Sequence, residues 1–257
     1  MNLLDVILTA IVEGITEFLP ISSTGHMILL SHVLGNGEDN FTKTFEIFIQ
    51  LRAILAIVFL YARRFLFQPG IYLRLFVAFL PSAVLGFLLY EIIKTYLFNP
   101  WVVAGALIIG GVVLIFLDKR LPQGEPSSEE LSGITFKRAL FIGIFQCLSM
   151  IPGVSRAAAT IIGGMANGLS KKSAAEFSFL LAIPTMAAAS GYDLLKFEGS
   201  LSAEQWQFMG IGFAVAFITA LAAVKWFVSL LDRHGFSAFG YYRIAVGLLF
   251  ILIAPYL

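Results

Sequence analysis

Residues 3–34 have the sequence LLDVILTAIVEGITEFLPISSTGHMILLSHVL, an apolar segment that is broken at residues 20–26. Each flank is shorter than the roughly 20 apolar residues that a helix needs to cross a bilayer. An irregular polar backbone at membrane depth is tolerated only where it is buried in protein or faces a water-filled cavity. The segment therefore predicts a re-entrant helical hairpin, and its central loop is the first place to look for function.

A second apolar segment, residues 136–169, is broken in the same way at PGVSR, residues 152–156. Six further stretches are long enough to span a membrane without a break: residues 45–61, 75–96, 101–117, 174–191, 208–231 and 241–255. Only 13% of the residues are charged and 59% are hydrophobic, whereas a soluble domain carries about 25% charged residues. We predict an all-α polytopic membrane protein with six full transmembrane helices and two re-entrant hairpins.

Basic residues lie in alternate connections between the predicted spans. They are Arg63, Arg64, Arg74, Lys119, Arg120, Lys137, Arg138, Lys171, Lys172 and Arg233. Basic loops face the cytoplasm, so both termini are predicted outside. The first hairpin then enters from outside and the second from the cytoplasm.

The two halves of the chain have the same plan. Residues 1–117 and 136–257 each consist of one hairpin (3–34 and 136–169) and three spans, and a cytoplasmic linker, 118–135, joins them. An odd number of spans makes the second half inverted relative to the first. Pro20-x-x-Ser23 is taken to correspond to Pro152-x-x-Ser155. Inverted repeats with broken helices place a shared site where the two breaks meet.

Glu13 and Glu17 stand four residues apart, so on a helix they share one face. Two carboxylates at membrane depth need a cation between or opposite them, and either a divalent metal or Arg156 would serve. The alternative is a polar helix face that lines a vestibule and has no chemical role.

Hydroxyl groups and a histidine follow at the first break: Ser22, Ser23, Thr24 and His26. A half-helix that begins here presents free N–H groups to an anion. Beside paired carboxylates, His26 and the serines suit proton transfer or nucleophilic attack. A packed histidine without a chemical role is the alternative.

Ser155 and Arg156 begin the half-helix after the second break, and Thr160 lies one turn later. Arginine suits a planar, bidentate contact with phosphate. An Arg156 that only neutralises Glu13 or Glu17 is the structural alternative. Together the two breaks fit a metal-bound phosphate or diphosphate better than a neutral solute.

Other features exclude or leave open further functions. The formal net charge of +1 offers no basic face for nucleic acid.

A secondary transporter or flippase of a phosphorylated lipid shares the predicted architecture and is the alternative function. Arg52 lies inside the first span, where snorkelling, an ion pair with Glu46 and substrate contact all remain open.

At these residues the chain resembles the bacterial undecaprenyl-diphosphate phosphatase family, the bacitracin-resistance proteins. The matching stretches are EGITEFLPISSTGH at 13–26, PGVSR at 152–156 with Thr160, and AAEFSFLLAIP at 174–184. The chain departs from the family pattern at Ala157-Ala158, where Ser-Gly is expected, and at Arg52, where a small residue is expected.

The resemblance implies hydrolysis of a C55 polyprenyl diphosphate, which recycles the lipid carrier for peptidoglycan synthesis and confers bacitracin resistance. It implies a divalent cation, Mg²⁺ or Ca²⁺, and a site open to the periplasmic side of the bacterial inner membrane. Glu13 and Glu17 then serve as metal ligands or base, and Ser23 and His26 as nucleophile or acid–base groups. Arg156, Ser155, Thr160, Ser22 and Thr24 bind the diphosphate. The expected partners are this lipid and the surrounding membrane lipids, and a homodimer is left open.

Overall fold

The computed structural model describes residues 1–37, 39–120, 131–196, 199–231 and 235–256, and only the backbone of residues 53, 64–67 and 132. Within these residues there are ten α-helices and no β-strand. Most of the predicted linker, residues 121–130, lies outside the described residues. So do Arg233 and the side chain of Arg64, on which part of the predicted topology rests.

The helices follow the predicted order. They are α1 (Leu3–Thr16), α2 (Ser23–Val33), α3 (Asn40–Phe67), α4 (Gly70–Ile92), α5 (Pro100–Arg120), α6 (Phe136–Gln146), α7 (Arg156–Ala166), α8 (Lys171–Leu195), α9 (Ala203–Leu231) and α10 (Ser237–Ile253). A π-helical turn, Ile93–Leu97, extends α4, and a 3₁₀ turn, Cys147–Met150, follows α6. Helices α3, α4, α5, α8, α9 and α10 are long and apolar enough to cross a membrane. The six predicted spans of a polytopic membrane protein are thereby confirmed.

The remaining four helices are too short to span. Helix α1 has 14 residues and α2 has 11, which gives lengths of about 21 and 16 Å at 1.5 Å per residue. Helices α6 and α7 have 11 residues each. A hydrocarbon core is about 30 Å thick. Both predicted breaks are therefore present, whereas the re-entrant path of each hairpin stays a prediction.

Helix packing pairs elements of one half with elements of the other. Helix α1 packs against α9 and α6 packs against α4, while α5 lies against α10 and α3 against α8. A Cβ atom on Gly14 of α1 would lie 1.9 Å from Thr219 Oγ1, and one on Gly143 of α6 would lie 2.2 Å from the Ala78 carbonyl oxygen. Both short helices thus approach their partners at a glycine. The α1–α9 and α6–α4 pairs occupy equivalent places in the two predicted halves. The internal repeat and the inverted orientation of the halves stay predictions.

The two breaks share a backbone geometry that corrects the predicted alignment. Ser22 has φ +72° and Ser155 has φ +76°, and each precedes the second half-helix as its N-cap. Ser22 Oγ accepts from Gly25 N–H at 3.3 Å and Ser155 Oγ accepts from Ala158 N–H at 3.1 Å. The counterpart of Ser155 is therefore Ser22, and its alignment with Ser23 was wrong by one residue.

Candidate active site

The structure brings the two breaks into contact at the base of one cavity. A Cβ atom on Gly25 would lie 3.3 Å from Gly153 Cα. The cavity has a volume of about 450 Å³, and both breaks line it. The predicted site residues in its wall are Glu17, Ser22, Ser23, Thr24, Ser155 and Arg156. Glu13, His26 and Thr160 stand outside this lining.

One carboxylate joins the two breaks. Glu17 Oε1 accepts from Arg156 Nη2 at 2.9 Å, and Glu17 Oε2 accepts from the Ser23 hydroxyl. Ser23 is the first residue of α2 and Arg156 is the first residue of α7. The corrected alignment makes these two residues equivalent, so each half contributes its first helical side chain to the same carboxylate.

Arg156 is fixed from behind by α8. Its Nη1 donates to the Ser178 carbonyl oxygen at 2.8 Å, and the Thr160 hydroxyl donates to Ser178 Oγ at 2.6 Å. Thr160 thus holds Ser178, and Ser178 in turn holds Arg156 in the cavity wall. Arg156 Nε is buried without a hydrogen-bond partner among the described residues. A buried donor without an acceptor is costly, so Nε is a group that an anionic ligand would satisfy.

Glu13 lacks the hydrogen-bond partners that Glu17 has. Its side chain is fully buried, and neither carboxylate oxygen has a hydrogen-bond partner among the described residues. It interacts electrostatically with the carboxyl groups of Glu17 and Glu46 and with the Arg156 guanidinium. A buried carboxylate without a partner requires a proton or a bound cation.

The residues present fit a divalent cation. Mg²⁺ is commonly held by one or two carboxylates together with water and substrate phosphate oxygens, and Glu13 and Glu17 are two such carboxylates. No cluster of three or more His, Cys, Asp or Glu side chains suited to a metal occurs in the part of the chain that the structure describes. Glu13 and Glu17 are thus the carboxylates that would hold such a cation.

Both half-helices begin at the cavity. The first N–H groups of a helix have no acceptor within that helix and carry its positive dipole end. A non-glycine residue with positive φ is uncommon, and such residues concentrate at functional sites. Ser22 and Ser155 therefore hold two helix N-termini in the orientation that suits an anion.

His26 is turned toward α10 instead of the cavity. Its Nδ1 lies 2.8 Å from the Ser22 carbonyl oxygen and its Nε2 lies 3.0 Å from the Tyr242 hydroxyl. The two rings stack with an angle of 3° between their planes. Both ring nitrogens are thus occupied, and Nδ1 is the donor because a carbonyl oxygen only accepts.

Arg243 is a site residue that the sequence analysis missed. It is fully buried on α10, and its two terminal nitrogens donate to four carbonyl oxygens. These belong to Pro20 (3.2 Å), Val154 (3.0 Å), Ala106 (3.2 Å) and Gly153 (2.8 Å). Three of the four lie in the two breaks, so Arg243 holds both loops together. Its position in an apolar span was the signal, because an ionisable residue there indicates a functional role.

The cavity extends from this base between α4 and α8. Its apolar wall is formed by Phe79, Ala83, Gly86, Phe87, Met150, Met186, Ala188 and Ala189. Its far end, the cavity mouth, is formed by Tyr90, Lys94, Tyr192 and Asp193. The base is buried, whereas Tyr192 at the mouth is 36% exposed. The cavity therefore connects a charged base to the surface along a mainly apolar passage, which Ser82, Gln146, Ser149 and Thr185 also line.

Arg52 lies outside the lining of this cavity. Its guanidinium carbon is 3.4 Å from the ring centroid of Phe213 and 4.2 Å from that of Phe48. Cation–π contacts of this kind stabilise a charge next to apolar surface. They stabilise the guanidinium of an arginine that lies inside the first span.

A fold of six spans and two broken helix pairs, with a charged centre where the breaks meet, defines a polytopic membrane protein that handles an anionic group. The family model described as bacitracin resistance protein BacA matches residues 6–249, and the chain belongs to this family. It is 51% identical to an undecaprenyl-diphosphatase of Wolinella succinogenes, over 98% of both chains. It is 50% identical to one of Aquifex aeolicus, over 95% of both chains, and 48% identical to one of Bdellovibrio bacteriovorus, over 98% of this chain and 96% of the relative.

Proposed function

We propose that this chain hydrolyses undecaprenyl diphosphate to undecaprenyl phosphate and inorganic phosphate within the bilayer. Three relatives of about 50% identity carry the name undecaprenyl-diphosphatase. The observation that carries the proposal is the bridge between the breaks, in which Glu17 contacts both an arginine and a serine hydroxyl. Hydrolysis returns the lipid carrier to cell-wall synthesis, and the match to the bacitracin-resistance family supports this role.

The substrate enters from the periplasmic side of the inner membrane. Helices α4 and α8 both end at the cavity mouth, and the connections after them are poor in basic residues, as expected of outside loops. Both termini are then outside. The prenyl tail stays in lipid and leaves the cavity between α4 and α8, along the apolar wall.

The diphosphate binds at the base of the cavity. Arg156 contributes Nε, which has no partner within the described residues, and the two half-helices contribute their first N–H groups. Ser22, Thr24 and Ser155 line the same space. These donors are fixed before substrate arrives, so they stabilise charge on the phosphoryl oxygens without rearrangement in the transition state.

Ser23 is the nucleophile that the geometry favours. Its hydroxyl already donates to Glu17, the arrangement of a nucleophile and its general base. Glu17 takes the hydroxyl proton while Ser23 Oγ bonds to the terminal phosphorus and the bond to the bridging oxygen breaks. The prenyl monophosphate leaves, and water then cleaves the phosphoserine to release inorganic phosphate. His26 holds the Ser22 carbonyl oxygen and so positions the loop that carries Ser23.

A divalent cation, Mg²⁺ or Ca²⁺, belongs to the proposal. Glu13 and Glu17 would hold it, with Glu13 supplying the carboxylate that no other described group satisfies. When bound, the cation supplies positive charge to the phosphate oxygens and to the leaving group.

Phosphate release in detergent tests the function. We expect purified protein to release inorganic phosphate from C55 and C15 prenyl diphosphates when Mg²⁺ or Ca²⁺ is present. A lipid transporter has no gradient or second compartment in detergent, so it would release none. Folded protein that releases no phosphate from either lipid with either metal would leave transport as the function of the site.

A further inference from the structure

Two donors from one helix converge on a single carboxylate oxygen at the cavity mouth. The Tyr90 hydroxyl donates to Asp193 Oδ1 at 2.5 Å, and Lys94 Nζ donates to the same oxygen at 2.6 Å. Charge-assisted hydrogen bonds of this kind also bind phosphate oxygens. The mouth thus presents two donors that suit a phosphate group, and a carboxylate of the neighbouring helix occupies them.

The mouth lies in the path to the base of the cavity but apart from it. Met186 Sδ is 3.9 Å from Arg156 Nη2, and Asp193 follows Met186 by seven residues on α8. With a rise of 1.5 Å per residue, the two positions are about 10 Å apart along the helix. The mouth and Arg156 are therefore separate ends of one cavity, and a phosphate that enters the cavity reaches the mouth first.

The local structure allows Asp193 to be exchanged for a ligand. The Lys94 side chain is 39% exposed while it pairs with Asp193, so a ligand can reach its ammonium group. Lys94 also lies in the π-helical turn Ile93–Leu97. Turns of this type occur often at functional sites.

We propose that Tyr90 and Lys94 form an entry subsite that binds the terminal phosphate of the lipid diphosphate in place of the Asp193 carboxylate. The phosphate then passes to Arg156 at the base. This inference rests on the proposed function and adds a binding step before the reaction. Because the subsite acts during entry, it governs the association rate and with it kcat/KM, and it leaves the rate of bond cleavage to Glu17 and Ser23.

Substitution at Lys94 tests the subsite with a C15 prenyl diphosphate at physiological salt. We expect Lys94→Met to raise KM about tenfold with little change in kcat, because a charged hydrogen bond is lost before the chemical step. Lys94→Arg keeps the charge and should recover most of the loss. The matched control is Lys172→Met, because Lys172 is exposed and lies outside the cavity lining.

Asp193→Asn distinguishes two roles of the Asp193 carboxylate. It either competes with the substrate for Tyr90 and Lys94, or it only positions Lys94. Asparagine keeps an acceptor oxygen but has no negative charge, so it holds Tyr90 and Lys94 less tightly. If the carboxylate competes with the substrate, KM therefore falls. If Asp193 only positions Lys94, KM rises as it does in Lys94→Met, and the exchange is wrong. Inorganic phosphate as an inhibitor provides a further arm. If Lys94→Met has an unchanged KM but a larger inhibition constant for inorganic phosphate, the subsite binds released phosphate and the proposal is wrong.

Failure of this inference is distinct from failure of the proposed function. Wild-type protein without phosphatase activity contradicts the function. Normal wild-type kinetics with unchanged KM in both Lys94→Met and Tyr90→Phe contradicts only the subsite. Tyr90→Phe removes a single oxygen atom and keeps the ring, so it serves as the second variant if Lys94→Met does not fold.

Discussion

Arg156 Nη2 lies 2.9 Å from Glu17 Oε1, and this ion pair joins two breaks that are 139 residues apart in the sequence. The other oxygen of the carboxylate accepts from Ser23. A single acidic residue therefore orients the proposed nucleophile and the proposed phosphate ligand together. Substitutions of Ser23 and of Arg156 should therefore have different kinetic effects.

Ser23 and His26 should differ sharply in their contribution. We expect Ser23→Ala to lower kcat by at least about 10³-fold, because the nucleophile is lost. His26→Gln should cost about tenfold, since His26 acts through the Ser22 carbonyl and not on the substrate. Phosphate release rates of both variants provide the comparison. Equal losses, or a larger loss for His26→Gln, would favour His26 as the nucleophile.

The stereochemistry at phosphorus tests the same assignment independently. Two successive displacements, first by Ser23 and then by water, retain configuration at the transferred phosphorus. A single attack by water inverts it. A prenyl diphosphate with a chiral, isotopically labelled terminal thiophosphate reports the outcome. Inversion would exclude a phosphoserine intermediate.

Arg156→Lys should impair the enzyme although the charge is kept. Lysine lacks the planar set of donors that contacts Glu17, Ser178 and the substrate together. We expect kcat/KM to fall by about 100-fold, since two charged hydrogen bonds are lost. Arg52→Lys, which keeps a cation next to Phe213 outside the cavity lining, is the matched control. Activity of Arg156→Lys close to that of the control would contradict a direct phosphate contact.

Arg243→Met should destabilise the protein as well as inactivate it. The substitution leaves four carbonyl oxygens without this donor, and each buried group that stays unsatisfied costs about 1–3 kcal/mol. We expect a clear fall in the thermal unfolding midpoint in detergent, with a smaller fall for Arg243→Lys. An Arg243→Met protein with wild-type stability would show that Arg243 does not hold the loops.

Glu13→Gln should change the response to metal. A chelator should abolish phosphate release by the wild type, and added Mg²⁺ or Ca²⁺ should restore it. The variant loses one anionic ligand, so the metal concentration that gives half-maximal activity should rise by at least about tenfold. The check is a metal titration of phosphate release for both proteins. An unchanged midpoint would exclude Glu13 as a ligand.

Much of the architecture was predictable because a bilayer imposes length and polarity on the chain. The six spans follow from runs of apolar residues, and the breaks from polar residues within them. The alignment of Ser23 with Ser155 failed because it rested on matching prolines. The N-cap position depends instead on backbone angles at Ser22 and Ser155, which the residue types do not specify.

Two parts of the site depend on tertiary contacts that local patterns do not contain. Arg243 lies near the start of the predicted span 241–255, where an ionisable residue indicates a functional role but does not specify its partners. Helix α10 begins at Ser237, and the side chain reaches carbonyls of both loops. Likewise, the direction of the His26 ring depends on Tyr242, which is 216 residues away.

The central claim, that Glu17 joins both breaks into one phosphatase site, is tested most directly by Glu17→Gln. This variant keeps the size of the side chain but cannot take the Ser23 proton. Phosphate release from a C55 prenyl diphosphate should fall by about 10²–10⁴-fold, while Glu91→Gln, at an exposed ion pair, should behave as the wild type. A folded Glu17→Gln protein that releases phosphate at the wild-type rate would contradict the claim.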